Sequence, residues 1–179
     1  KLFRTLVKEI QKDTVVYAQE PVVVGLMTRW ACALKRRPYF IKFVGDTSWE
    51  SAFFSGKTTA FLDEFLERRE GGLSARLHRW IQRSIFWNAK KVIVPSEYLK
   101  RVVHTHYQIP SFHIEVIPNA VAPEKLKHPL PSTRDRSIVS VGRLVPWKNM
   151  AGVIRAFSIL PSKDLSLKII GSGPEMEAL

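Results

Sequence analysis

Cysteine is nearly absent from this sequence: one residue among 179, so no disulfide can form within the chain. This excludes a secreted fold held together by disulfides and favours a reducing, cytoplasmic environment. Cys32 lies in an apolar helical pattern, which favours a small buried side chain over a catalytic thiol. The chain also lacks the run of roughly 18 to 20 apolar residues that a bilayer-spanning helix needs. Its longest apolar segment, residues 22–34, is interrupted by Arg29.

Acidic residues are scarce relative to basic ones: 16 Asp and Glu against 28 Lys and Arg, a net charge of +12. Such a charge permits an anionic partner (phosphate, nucleic acid or a membrane surface) without choosing among them. No RRM, KH or helix-turn-helix pattern is present, and the aromatic residues are not interleaved with basic ones on strands. We therefore expect no nucleic-acid partner, and keep a basic nucleic-acid-binding module as an alternative.

Several catalytic motifs are missing as well. There is no G-x-S-x-G nucleophile elbow and no G-x-x-x-x-G-K-[ST] phosphate loop. The pair His104 and His106 has no Cys or acidic companions at ligand spacing, so we predict no metal site.

Strands and helices alternate along the chain. This order is typical of parallel βαβ units and predicts a doubly wound α/β fold. Residues 47–72 have a less regular pattern. The predicted strands are 14–18, 39–44, 91–94, 113–117, 137–142 and 165–170, and the predicted helices are 1–12, 22–34, 73–89, one capped by Ser96, 148–160 and one after Pro174.

A segment rich in proline and charge, residues 120–136, interrupts this alternation and predicts a linker. It separates a first domain, 1–119, from the start of a second, 137–179. Two strands are too few to close a core, so we expect the second domain to continue past Leu179. Because the chain opens in a helical pattern at Lys1, we expect both domains to be incomplete here.

The strongest chemical signal follows the strand 137–142. The strand ends at Gly142, two cations follow at Arg143 and Lys148, and a helix is predicted to start beside the second. Helix N-termini and an Arg–Lys pair suit a diphosphate, whose negative charge grows as a sugar departs from it. Two solvated loop cations are the alternative.

A second glycine turn, with Gly171 and Gly173, joins the last strand to the predicted last helix. Glycines let a backbone approach a ligand closely. This is not the complete G-x-G-x-x-G fingerprint, so a simple tight turn is the alternative.

Polar residues follow the strand 39–44: Gly45, Asp46 and, four residues on, Glu50. Ligands of open α/β sheets bind beyond the carboxyl ends of strands, which makes these residues candidates for substrate contact. The alternative is that Asp46 is the N-cap of the next segment.

The predicted helix 73–89 is basic and amphipathic. Arg76, Arg79 and Arg83 fall on one face, which could lie against anionic lipid, with a second cluster at 35–37. A solvated face is the alternative. The apolar stripe is predicted to comprise Leu73, Leu77, Trp80, Ile81 and Ile85.

In combination, four motifs resemble the glycosyltransferases of family 4. Residues 117–121 (IPNAV) resemble the interdomain junction of that family, and 94–99 (VPSEYL) resemble the strand-to-helix step before it. Residues 141–149 (VGRLVPWKN) and 169–174 (IIGSGP) resemble the start of the nucleotide-binding domain. The resemblance implies a GT-B fold, two Rossmann-like domains facing each other across a cleft.

The resemblance further implies transfer of a sugar, with retention of configuration, from a nucleoside-diphosphate sugar to a saccharide or lipid-linked acceptor of carbohydrate or cell-envelope biosynthesis. Arg143 and Lys148 would hold the donor diphosphate, Gly142 would lie beside it, and Gly171 and Gly173 would line the nucleotide end. No metal or cofactor is implied. The enzyme would be cytoplasmic, or peripheral on the inner face of the membrane.

Two departures from the family pattern bear on the active site. Many members have a histidine where this sequence has Gly45 and Asp46, so these residues are assigned no chemical role. The family's glycine-rich acceptor loop and paired-glutamate motif would fall before Lys1 and after Leu179. We therefore assign no catalytic residue, expect residues 1–179 alone to be inactive, and keep a non-catalytic sugar-nucleotide-binding protein as an alternative.

Overall fold

The computed structural model describes residues 1–123, 136–162 and 164–179. The chain forms two compact units, Lys1–Val121 and Ala122–Leu179. Most of the predicted linker, residues 124–135, lies outside the described residues.

The first unit is built on four parallel strands arranged in the order of the sequence, so the predicted parallel α/β fold is confirmed. Alternate residues of each strand face the core, as Tyr39 and Ile41 do in the second strand, because side chains alternate across a strand. The strands are β1 (Val16–Ala18), β2 (Tyr39–Lys42), β3 (Lys91–Val94) and β4 (Ile114–Val116).

Helices connect and flank these strands. Right-handed connections between neighbouring parallel strands place the connecting helices on one face of the sheet. Among the described residues, none of the helices is long and apolar enough to cross a membrane. The helices are α1 (Leu2–Glu9), α2 (Val23–Leu34), α3 (Thr47–Phe54), α4 (Leu62–Glu67), α5 (Gly72–Asn88) and α6 (Glu97–Tyr107), followed by a 3-10 turn at Ser111–His113.

Two sequence expectations about local structure have different outcomes. Ser96 caps α6 as predicted, because its Oγ accepts from the Leu99 N–H at 3.3 Å. The prediction of an irregular segment at 47–72 is wrong, since α3 and α4 both lie within it. These helices have only eight and six residues, too few for a clear 3.6-residue period.

The predicted apolar stripe of α5 is also wrong in part. Ile85 is fully buried and Ile81 packs partly against the core, but Leu73, Leu77 and Trp80 are exposed. A different face of α5 packs on the core: besides Ile85, its buried residues are the small Ala75, the polar Gln82 and the aromatic Phe86. The close packing of α5 against α2 explains why this face is the buried one, since a Cβ on Gly25 of α2 would lie 3.2 Å from the Ile85 side chain.

The second unit contains a parallel pair of strands and one α-helix in its described residues. β5 (Ser137–Val141) pairs with β6 (Ser166–Ile170), and α7 (Met150–Ser158) follows a 3-10 turn at Pro146–Lys148. Both strands and α7 are confirmed. The helix predicted after Pro174 is wrong: residues 173–178 form turns, with the Met176 N–H bonded to the Gly173 carbonyl.

The start of α5 yields a stability prediction, because Gly71 and Gly72 both have positive φ, at 86° and 66°. A Cβ on Gly71 would lie 2.6 Å from Ala75 Cβ and 3.0 Å from the Phe65 ring, whereas a Cβ on Gly72 meets nothing within 4 Å. We expect Gly72→Ala to cost about 1 kcal/mol from backbone strain alone. Gly71→Ala should cost about 2 kcal/mol more, from overpacking. Urea unfolding followed by circular dichroism measures both, and equal costs would contradict the close packing at Gly71.

Candidate functional site

The carboxyl end of β2 leads directly into α3 through Asp46. The Asp46 carboxylate accepts hydrogen bonds from the backbone N–H groups of Ser48, at 2.8 Å, and Trp49, at 3.1 Å. Asp46 is therefore the N-cap of α3, the alternative that the sequence left open. A carboxylate here also offsets the positive end of the helix dipole.

The same carboxylate is the centre of a buried hydrogen-bond network. Asp46 has no solvent exposure, and its Oδ2 accepts from the Tyr107 hydroxyl at the end of α6. The Gln82 side chain of α5 donates to the Tyr107 hydroxyl at 2.7 Å and lies 3.4 Å from Asp46 Oδ1. Ser48 Oγ also donates to Asp46. Helices α3, α5 and α6 are thus joined at the end of β2.

Electrostatics keep Tyr107 in its hydrogen-bond-donating form. Burial raises the pKa of Tyr107 well above its usual value, and the negative charge of Asp46 raises it further. Arg79 contributes a positive charge nearby, although burial lowers the pKa of its guanidinium. That guanidinium donates to the carbonyls of Arg69 and Glu70 and lies 5.3 Å from the centre of the Phe65 ring.

Gly45 and Glu50 remain at the partly exposed surface of this strand end. A Cβ on Gly45 would lie 2.7 Å from Glu50 Oε1, so the glycine makes room for the carboxylate. Of the three acceptor-side candidates, Asp46 is turned inward and occupied by protein donors, while Gly45 and Glu50 face the edge where a ligand could approach. Their contact with an acceptor stays a prediction.

Sequence reasoning missed Gln82 and Tyr107. Gln82 is in phase with the buried residues Ala75, Ile85 and Phe86 of α5. A polar side chain among buried apolar ones requires a hydrogen-bond partner, and this signal would have been visible had the correct face of α5 been assigned to the core.

The second unit brings together the ends of β5 and β6, where the donor-side candidates lie. The Gly142 N–H bonds to the Ile170 carbonyl at 3.0 Å, and the Leu144 N–H to the Ser172 carbonyl at 2.9 Å. The side chains of Leu144, Val145 and Met150 are buried. Arg143, which lies between the hydrogen-bonded residues Gly142 and Leu144, is exposed.

Lys148 stands directly before the cap of α7. It is exposed and ends the 3-10 turn, and Asn149 then caps the helix by accepting from the Gly152 N–H at 3.2 Å. The free N–H groups and positive dipole end of α7 therefore begin beside this lysine, as the sequence predicted.

Gly171 and Gly173 have a structural explanation. A Cβ on Gly171 would lie 1.8 Å from the Gly142 carbonyl oxygen, and one on Gly173 would lie 2.2 Å from the Leu144 carbonyl oxygen. Real side chains do not fit at such distances, so both glycines let two loops pack together. This matches the tight-turn alternative, and a contact with a nucleotide stays a prediction.

In the described part of the chain, no group of three or more His, Cys, Asp or Glu side chains is placed to hold a metal ion.

Comparison with known proteins gives one family. The model described as Glycosyltransferase Family 4 matches residues 2–125, which is more than half of the chain. The match contains all of the first unit except Lys1, while the residues at the ends of β5 and β6 lie outside it. A search of curated proteins gives no match.

The buried network yields a paired prediction. In Tyr107→Phe, the Asp46 carboxylate loses a buried donor, so we expect a loss of about 1.5 to 3 kcal/mol in the free energy of unfolding. Tyr98→Phe is the matched control, because the Tyr98 hydroxyl bonds to the exposed Asp63 at 3.1 Å. It should change stability by less than about 0.5 kcal/mol. Urea titration measures both, and equal small effects would show that the network contributes little.

Proposed function

We propose that the full-length protein transfers a sugar from a nucleoside-diphosphate sugar to an acceptor with retention of configuration, starting from the fact that this chain belongs to glycosyltransferase family 4. The family assignment itself supports a glycosyltransferase. The donor type, the stereochemistry and the roles of individual residues are the proposal.

One observation carries the donor assignment: exposed Arg143 and Lys148 lie at the end of β5 and at the start of α7. Departure of the sugar adds a negative charge to the diphosphate, the second one on its terminal phosphate. A planar guanidinium, an ammonium and free helix N–H groups stabilise that charge more in the transition state than in the ground state. These groups could supply the positive charge without a metal ion.

The carboxyl end of β2 is the proposed acceptor side. Gly45 leaves room for the Glu50 carboxylate, and a carboxylate accepts hydrogen bonds from sugar hydroxyl groups. Asp46, Gln82 and Tyr107 would act as positioning residues, because they hold the start of α3 against the sheet. A saccharide or a lipid-linked saccharide is the expected acceptor class.

The function can be tested by incubating the full-length protein with UDP-, GDP- and ADP-hexoses and measuring nucleoside diphosphate release. We expect release from one nucleotide class, faster when an acceptor saccharide is present, with the product keeping the donor's anomeric configuration by NMR. Tight binding of a nucleotide sugar without any turnover would favour the non-catalytic alternative instead.

At residue level, Arg143→Ala and Lys148→Ala should each weaken binding of the matching nucleoside diphosphate by about 1.5 to 3 kcal/mol, the value of a hydrogen bond to a charged group. That is roughly a 10- to 150-fold rise in Kd. Arg155→Ala is the control, since Arg155 is an exposed cation farther along α7. Calorimetric titration gives the constants, and unchanged affinity in both variants would remove these residues from the donor site.

A further inference from the structure

The outward side of two neighbouring helices in the first unit is apolar although it faces solvent. On α5, Leu73 is 81% exposed and Trp80 is 66% exposed. On α2, Leu34 is 65% exposed. We name this surface the outer face of α2 and α5; it consists of Val23, Trp30, Leu34, Leu73, Leu77, Trp80 and Trp87.

These residues form a stripe on each helix, opposite the core. On α5 the successive spacings are four, three and seven residues, which places the side chains above one another along one side. Buried Ala75 and Gln82 occupy the opposite side. The two helices lie side by side, since Gly25 of α2 meets Ile85 of α5. The two helices are therefore in contact, and each has its stripe exposed to solvent.

The charged side chains within these two helices have one sign. Neither α2 nor α5 contains a single Asp or Glu. Arg76 and Arg83 are exposed at the border of the α5 stripe, and Lys35 and Arg36 are exposed at the end of α2. Arg79, which the sequence grouped with them, is instead held by the carbonyls of residues 69 and 70.

A cleft beside the stripe strengthens this positive character. It has a volume of about 390 Å³. Four arginines contribute to its walls, so an anionic group there would meet several cations at once. Its lining includes Arg69, Arg76, Arg79, Arg83, Trp80 and His106.

We infer that the outer face of α2 and α5 binds peripherally to an anionic membrane surface. Tryptophan is favoured at the headgroup level, where its ring is in an apolar layer and its N–H meets water, and Arg pairs with lipid phosphate. Apolar residues beside cations, without acidic residues, are typical of helices that lie in a membrane interface. A symmetric contact between two copies would instead bring two positively charged surfaces together, so the charge favours an anionic occupant.

This inference does not rest on the donor assignment, because its measurement needs neither sugar nor nucleotide. If both hold, transfer takes place at a membrane surface, which suits an acceptor attached to a lipid.

The test is sedimentation of the full-length protein with vesicles of phosphatidylcholine alone or mixed with phosphatidylglycerol. We expect binding to the anionic vesicles at low salt and release as salt rises, because ions screen exposed charges. Each cation near an anionic surface contributes a factor of about five, so Arg76→Gln/Arg83→Gln should lower partitioning by about 30-fold. Trp80→Ser/Trp87→Ser should lower it by at least about tenfold.

Matched controls test whether vesicle binding depends on this face or only on the overall charge and hydrophobicity of the protein. Arg4→Gln/Arg101→Gln removes the same charge from exposed positions on α1 and α6, and Phe112→Ser removes an aromatic ring that is 79% exposed. Both controls should bind as the unchanged protein does, and urea unfolding should show that all variants stay folded.

Three results would overturn the inference. One is equal binding to both vesicle types, and another is equal weakening by the controls. The third is an absence of vesicle binding together with a lower stability, or a lost dimer by analytical ultracentrifugation, in Trp80→Ser/Trp87→Ser. That result would show that another part of the same protein, or a second copy of it, packs on this face.

Discussion

A carboxylate without access to water is held at the end of β2, and much of the first unit is organised around it. A buried charge is costly unless protein groups replace its hydration. Asp46 receives that replacement from the N-terminus of α3, from Ser48 and from Tyr107 of α6, with Gln82 of α5 linking to it. Any shift of one helix would leave a donor or acceptor unpaired, so the helices are fixed relative to the strand end. The surface residues Gly45 and Glu50 are positioned by the same arrangement.

Local sequence chemistry accounts for most of the architecture. Short β-branched runs mark the strands because they fit a pleated, half-buried surface, and Ser96 marks a helix start because its hydroxyl replaces a missing backbone partner. Helices α3 and α4 were not predicted from the sequence. The sequence offers Asp46 as a possible N-cap, but both helices are too short for a clear 3.6-residue period. The contacts of Asp46 with α5 and α6 join residues far apart in the sequence and leave no local pattern.

The two candidate strand ends differ in what could be foreseen. Arg143 and Lys148 lie in a strand–loop–helix pattern that neighbouring residues alone are enough to predict. Which face of α5 packs on the core could not be predicted from the sequence, because the helix has apolar residues on two sides. Packing against Gly25 of α2 and hydrogen bonding through Gln82 select the side that contains Gln82 and Phe86, and leave the Leu and Trp side chains outside.

The spatial order of the four parallel strands, identical to their order along the chain, affects how the first unit is synthesised. Each new strand pairs with the strand made immediately before it, after one or more intervening helices. Within these four strands, each partner is the next strand along the chain, which limits the entropy cost of each loop closure. The sheet can therefore grow one strand at a time in the direction of translation, with each hydrophobic strand covered soon after it leaves the ribosome. The hydrogen bonds that join α3, α5 and α6 around Asp46 are completed once Tyr107 emerges, before β4 is added to the sheet.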